Sequence, residues 1–413
     1  MNYREAEEYI FRRRRMGMKF GLDRAARLLR EAGDPQKSFR TVHIVGTNGK
    51  GSTTAFLSKI LMESGFRVGR MISPHLLNYR ERIAVNGRWI PEDAVVEYLE
   101  TFRKTIEECS ATFFEITTAM SAWYFEKAGV ELVAAEAGLG GRLDATRLLK
   151  GEMTIFTGVE LEHRRILGPT EAAITGEKVA IAERGTHLLA YSQAIEVESV
   201  INAAVKENQL KRLIPDLPGS APLPGEHQLR NCGLALLAAS LVTGEPSASL
   251  QKKLSDFHWT GRIDLRHGDP EILFDVAHNP GSMEQLLMHI KQNYETPVPA
   301  VLGFLADKFW RRMLDQIRGI LDPVIATTPL NERKLSAERL ALELMKRGFS
   351  ARAEEDVGRA IKLGRETGGG PLVVTGSFFV TGEAMLIAWR EGWILPPEPD
   401  EEPAQLPLFT SGS

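Results

Sequence analysis

The stretch from His43 to Leu57, HIVGTNGKGSTTAFL, restricts the fold more than any other part of the chain. The β-branched run Thr41 to Val45 reads as a buried strand, and Ser52 to Ser64 reads as a helix with Phe56, Leu57, Ile60 and Leu61 turned inward. Between them lie glycines at 46, 49 and 51. Such a turn aims backbone N–H groups and the positive end of a helix dipole at one point, and Lys50 adds a cation there. The combination suits the phosphates of a nucleotide, with Gly46, Thr47, Asn48, Gly49, Lys50, Gly51, Ser52 and Thr53 as candidate contacts. The spacing is irregular for a phosphate loop, where Ser or Thr follows the Gly-Lys pair at once and another Gly stands five residues earlier. Here Gly51 separates Lys50 from Ser52, and the earlier position is Ile44. A tight strand-to-helix turn with an exposed lysine is the plainer reading of the same residues.

Short apolar runs recur along the chain: RVGRMIS, LVAAEAG, TIFTGV, ILFDVAHN, AVLGF, PVIATT and LVVTGS. Helical or loop-like segments separate them, which predicts α/β architecture with parallel sheets flanked by helices. One such segment, GLDRAARLLREAGDPQKS, has helical spacing and stops at Gly-Asp-Pro. A length of 413 residues leaves room for two or three domains. A Pro/Gly-rich patch occupies 215–227, and a fresh strand-helix series follows HWTGRIDLRHGDP. The expected division is therefore 1–261 and 262–395, with 396–413 (PPEPDEEPAQLPLFTSGS) as a disordered acidic tail.

Hydrophobic residues at 43% and charged residues at 25% exclude a largely disordered or fibrous chain. A net charge of -3 gives no general reason to expect nucleic acid or an anionic membrane as partner. The charged N-terminus, MNYREAEEYIFRRRRMGMKF, lacks the apolar centre of a secretory signal. The longest apolar stretch, Leu234 to Val242, is about half of what a membrane-spanning helix needs. Cys109 and Cys232 read as reduced thiols, and a cytoplasmic location is expected.

The loop GTNGKGST resembles that of the Mur ligase family, in its folate branch of folylpolyglutamate and dihydrofolate synthases. In the family's order follow SPHLLNYRERIAVNG (73–87), FFEITTAM (113–120), EAGLGGRLDAT (136–146), GEKVAIAERG (176–185), GEHQLRN (225–231), GRID (261–264), DVAHNPGS (275–282), ADK (306–308) and TGSFFVTGE (375–383). The resemblance implies an N-terminal P-loop domain of the Mur ligase central type and a smaller Rossmann-like C-terminal domain. It also implies ATP-dependent ligation of L-glutamate to dihydropteroate, to (tetrahydro)folate, or to both, through an acyl phosphate. A Mur-type amide ligase for another carboxylate, and a nucleotide-binding protein without catalysis, are the competing readings.

By this resemblance Ser73 and Glu136 hold a Mg²⁺ between the β- and γ-phosphates, and His163 is a ligand of a second Mg²⁺. Mg²⁺ prefers hard oxygens and keeps waters, so a hydroxyl and a carboxylate suffice. Lys178, in EKVAI, stands where the family's lysine carries a carbamate made from CO₂, a reaction that needs the neutral amine. An exposed helical lysine paired with Glu177 or Glu183 is the other reading. Asp144 matches a contact of the pterin, with a capped turn as its structural alternative. Arg82 is expected at the substrate, and Asn231, Arg262, Asp275 and His278 at the nucleotide, in a cleft between domains. Glu115 is a further acidic candidate that needs a partner if buried.

Four departures from the family pattern stand out. Glu162 replaces Asp before His163, Arg147 replaces Asn, Val276 replaces Gly, and Phe309 replaces a second Asp. The run RRRR at 12–15 reads as a solvated helix face, with attraction of an anionic tail as the alternative. The tail segment QLPLF (405–409) resembles the peptide by which bacterial proteins bind the replication sliding clamp. The family suggests a monomer.

Overall fold

The computed structural model describes residues 1–14 and 21–395, so Arg15 of the arginine run and the tail with QLPLF lie outside the described residues. Within the run, Arg12 is exposed and Arg13 donates to the Tyr9 hydroxyl at 2.8 Å. The chain divides into two units. The first holds Met1–Pro74, Tyr79–Pro222 and His227–Phe257, and the second holds His75–Asn78, Leu223–Glu226 and everything from His258 onward. The sequence alone places a single division near residue 262.

The first unit is built on an 8-stranded sheet. Its strands are β1 (Arg40–Val45), β2 (Val68–Met71), β3 (Ile83–Val85), β4 (Arg88–Trp89), β5 (Leu132–Glu136), β6 (Met153–Phe156), β7 (His187–Leu189) and β8 (Lys211–Leu213). The order β4-β3-β2-β5-β1-β6-β7-β8 puts β1 near the centre, and only the β2-β3-β4 end is antiparallel. Crossovers through helices explain the parallel pairs, since a parallel neighbour needs a long return path. The β3-β4 hairpin turns at Asn86-Gly87, both with positive φ (48° and 80°), the pairing such a two-residue turn demands. Both faces of β1 are covered: Val42, Ile44 and Val45 are buried apolar residues, with the polar Thr41 and His43 buried among them.

The second unit carries a 6-stranded sheet of β9 (Asp264–Arg266), β10 (Ile272–Phe274), β11 (Val298–Leu302), β12 (Leu321–Ala326), β13 (Ala351–Ala353) and β14 (Leu372–Thr375). The order is β13-β12-β11-β14-β10-β9, with β9 the only antiparallel member. Leu76 and Leu77, supplied by the early tetrapeptide, belong to its core with Phe274, Val380 and Met385. Every apolar run singled out in the sequence forms a strand of one sheet or the other. Among the described residues no helix is long and apolar enough to cross a membrane.

Candidate active site

β1 ends at Val45, and the helix Lys50–Glu63 begins two residues earlier than its apolar spacing indicates, so Lys50 itself is its first residue. Gly49 precedes it at φ 83°, and a Cβ there would lie 2.3 Å from Asn231 Oδ1. At Gly46 a Cβ would lie 1.9 Å from Thr157 Oγ1. Both glycines are thus fixed by close neighbours as well as by backbone. The segment after β6 straps the loop down. Thr157 Oγ1 donates to Asn48 O at 2.6 Å, Thr47 N donates to Gly158 O at 2.9 Å, and Asn48 Nδ2 donates to Glu160 Oε1 at 2.8 Å. On the other side Asn231 Nδ2 donates to Gln228 Oε1, and Gln228 Nε2 to Ser52 Oγ. The loop and Asn231 are named from the sequence; Gln228 lies in the same GEHQLRN motif but is assigned no role there, and Glu160 of the strap is not singled out at all.

Three charged groups gather at this loop. Lys50 Nζ donates to Thr47 O at 3.0 Å and lies 3.9 Å from Glu136 Oε1. Glu136, the last residue of β5, is buried and accepts from the Ser73 N–H at 3.2 Å. Lys178, on the helix Glu171–Val179, is buried, and its Nζ donates to Gly46 O at 2.6 Å. Burial, then repulsion from Lys50, pushes its pKa down to about 7. The exposed, ion-paired lysine is therefore not what the fold makes of Lys178. Glu177 pairs instead with Arg142.

The donors at hand fit the ion and the modification that the family implies. Ser73 and Glu136 offer hard oxygens, and among the described residues no group of three or more His, Cys, Asp or Glu is poised for a metal. Mg²⁺ takes hard oxygens and keeps water ligands, so a hydroxyl and a carboxylate match its donor preference. His163 sits at φ 52° before the helix Arg164–Leu167, with Nε2 at 3.8 Å from Glu162 Oε1. A lysine with a pKa near neutrality has the neutral amine that CO₂ requires.

Asp144 is buried, and both oxygens are engaged within its own loop. Oδ2 accepts from Leu139 N at 2.7 Å, while Oδ1 accepts from Thr146 N at 3.0 Å and Thr146 Oγ1 at 2.6 Å. The capped turn is thus real. Desolvation raises its pKa, opposed by these hydrogen bonds. Arg147 turns its Nη1 to Arg142 O at 3.0 Å. Arg82 is buried with its guanidinium 4.9 Å from the Phe113 ring centre, and Phe113 stacks on Phe11. Glu115 has structural employment: it closes a capping box with Thr112 and pairs with Arg24 at 2.9 Å.

In the second unit Arg262 and His278 converge on Phe378, at 5.3 Å and 5.5 Å from its ring. Asp275 is buried, accepts from Ile263 N and Ala277 N at 2.8 Å each, and is pushed up to about 6 by burial, with Arg262 opposing. Ile263 holds φ 48°, a strained value for a β-branched residue, and its bond to Asp275 helps to keep it there. Val276 packs into the core, and Phe309 is exposed. Phe378 has no sequence signal of its own beyond lying in TGSFFVTGE.

Similarity to known proteins follows the same lines. Residues 261–378 match the family described as Mur ligase, glutamate ligase domain. A dihydrofolate synthase/folylpolyglutamate synthase of Bacillus subtilis is 32% identical over 359 residues, covering 77% of this chain and 83% of that protein. A probable bifunctional folylpolyglutamate synthase/dihydropteroate synthase of Haloferax volcanii is 30% identical over 424 residues, 93% of this chain and 50% of that protein. The chain thus spans about half the length of the haloarchaeal relative. Among solved structures, Escherichia coli FolC in complex with DHPP and ADP is similar at a TM-score of 0.85 and 25% identity, over 95% of this chain and 99% of that one. Fold and sequence together place the chain in the Mur ligase class. Within that class the chain belongs to the folylpolyglutamate synthase/dihydrofolate synthase family.

Proposed function

We propose that this chain is an ATP-dependent ligase, monomeric and cytoplasmic, that joins L-glutamate to dihydropteroate, to a reduced folate, or to both. The observation that carries the reading is the meeting of Lys50, Glu136 and Lys178 at a glycine-rich loop opening a helix. The names of the relatives and the FolC complex with DHPP and ADP support the substrate class.

In the proposed reaction the substrate carboxylate takes the γ-phosphoryl group of ATP, and ADP leaves. The α-amine of glutamate then attacks the acyl carbon, loses a proton, and inorganic phosphate departs as the amide forms. Lys50 and the loop N–H groups offset charge on the phosphoryl group in flight. Ser73 and Glu136 would hold one Mg²⁺ and His163 with a carbamylated Lys178 a second, supplying further charge neutralisation at the phosphates. Asn231, whose Oδ1 lies where a Cβ on Gly49 would clash, is assigned to the nucleotide together with the loop. In the C-terminal unit Arg262, Asp275 and His278 are assigned to nucleotide recognition, and in the N-terminal unit Arg82 and Asp144 to the pterin acid.

The deciding experiment measures ADP release with dihydropteroate and with tetrahydrofolate separately, each with and without glutamate. Release is expected only when glutamate and a pterin acid are both present. Turnover indifferent to either omission would overturn the reading.

A further inference from the structure

Thr41 and His43 project from β1 into the layer that also receives Val133 and Ala135, their register partners on β5. Both are fully buried. Each reaches the 3-10 turn Ala145–Leu149: Thr41 Oγ1 donates to Leu149 O at 3.2 Å, and His43 Nε2 lies 2.9 Å from Thr146 O. A carbonyl oxygen only accepts, so Nε2 carries the proton and Nδ1 keeps its lone pair. Burial holds the imidazole neutral, its pKa driven down to about 4. Nδ1 lies against Gly151, where a Cβ would come within 2.4 Å.

The turn that His43 grips is the one that orients Asp144. Thr146 offers its carbonyl to His43 and both its N–H and its hydroxyl to Asp144 Oδ1. A continuous path of hydrogen bonds therefore runs from the strand that ends in the phosphate loop to the Asp144 carboxylate. Packing alone does not account for His43: an aliphatic residue would fill the site, whereas the imidazole leaves Nδ1 buried without a hydrogen-bond partner, a cost set against the single bond from Nε2 to Thr146 O.

We propose that His43 is a positioning residue of the acid-substrate site, whose Nε2–H sets the Thr146 carbonyl and thereby aims the Asp144 carboxylate relative to the phosphate loop. The assignment rests on the proposed role of Asp144 toward the pterin acid. Neither nucleotide binding nor phosphoryl transfer is asked of His43 itself.

The test compares His43→Gln, His43→Asn and His43→Phe in the full chain. Glutamine places a donor near the position of Nε2, asparagine places one near Nδ1, and phenylalanine keeps the ring without a donor. With dihydropteroate varied, KM is expected to rise roughly tenfold in the Asn and Phe variants and to stay within about twofold in the Gln variant. The kcat and the KM for ATP stay unchanged throughout, and ADP affinity reports that the loop is intact. Amide hydrogen exchange across 144–149 accelerates in the Asn and Phe variants only, a readout that needs no substrate. A Gln variant as impaired as Phe, acid and ATP KM rising together, or unchanged exchange in Asn and Phe would each overturn the proposal. Should the Phe variant fail to fold, the Asn–Gln pair decides. Should the wild-type chain turn over no pterin acid, the proposed function falls, while the exchange series still judges the grip on Thr146.

Discussion

At Lys178 a buried amine and a loop carbonyl stand 2.6 Å apart, and the pKa near 7 makes the charge state sensitive to ordinary buffers. The sign is definite. Against an ordinary value of 10.5, the unfolded chain binds more protons than the folded one between about 7 and 10.5, so Lys178 makes stability rise with pH across that window. The contribution is complete above 10.5 and is lost as pH falls through about 7. Urea unfolding in CO₂-free buffer is expected to show a shallower rise for Lys178→Met. An identical slope would mean that the amine is not desolvated as described. Lys50→Ala is expected to abolish ligation while leaving the thermal unfolding profile in place, and measurable turnover would remove Lys50 from the phosphate site. Gly151 offers a different check: Gly151→Ala presses a methyl onto His43 and should cost about 1–3 kcal/mol in denaturant unfolding.

Among the elements, the strap after β6 is the least advertised part of the site. Thr157→Val deletes the donor to Asn48 O and leaves that carbonyl without this bond. ADP affinity is expected to fall roughly tenfold, and unchanged affinity by calorimetry would make the strap a bystander. The sequence is informative wherever local chemistry and long-range packing agree. β1 and its helix follow from β-branching and apolar spacing, whereas the Asn86-Gly87 hairpin turn lies in a stretch singled out only for its family resemblance. Glu115 is half legible: its need for a partner can be foreseen, but Arg24 lies 91 positions away and nothing local names it. Lys178 reads most simply as a surface lysine because burial of a helix face is set by distant segments. His43 escapes notice for the converse reason, since a strand of inward residues conceals which of them is making a hydrogen bond. Asp144 admits two readings in the sequence, and the cap it forms is visible in three hydrogen bonds.

For the whole molecule, the unit boundaries matter more than the single division that composition suggests. Leu76 sits between two close glycines of the C-terminal unit: a Cβ at Gly382 would lie 2.2 Å from its carbonyl oxygen, and one at Gly261 would lie 2.7 Å from Cδ2. Leu76→Ala is therefore expected to destabilise the C-terminal unit by about 2–4 kcal/mol, read as an earlier unfolding transition there. A transition indistinguishable from wild type would show that the tetrapeptide is not part of that core.

His75–Asn78 emerges from the ribosome long before the residues that enclose it. A nascent chain of about 260 residues would carry Leu76 and Leu77 with their later partners still unsynthesised, leaving a greasy spot on a half-made protein. Cutting the gene at the end of the first unit, after Phe257, would make that state permanent, and a polypeptide so shortened is expected to be retained by chaperones that the 413-residue chain escapes.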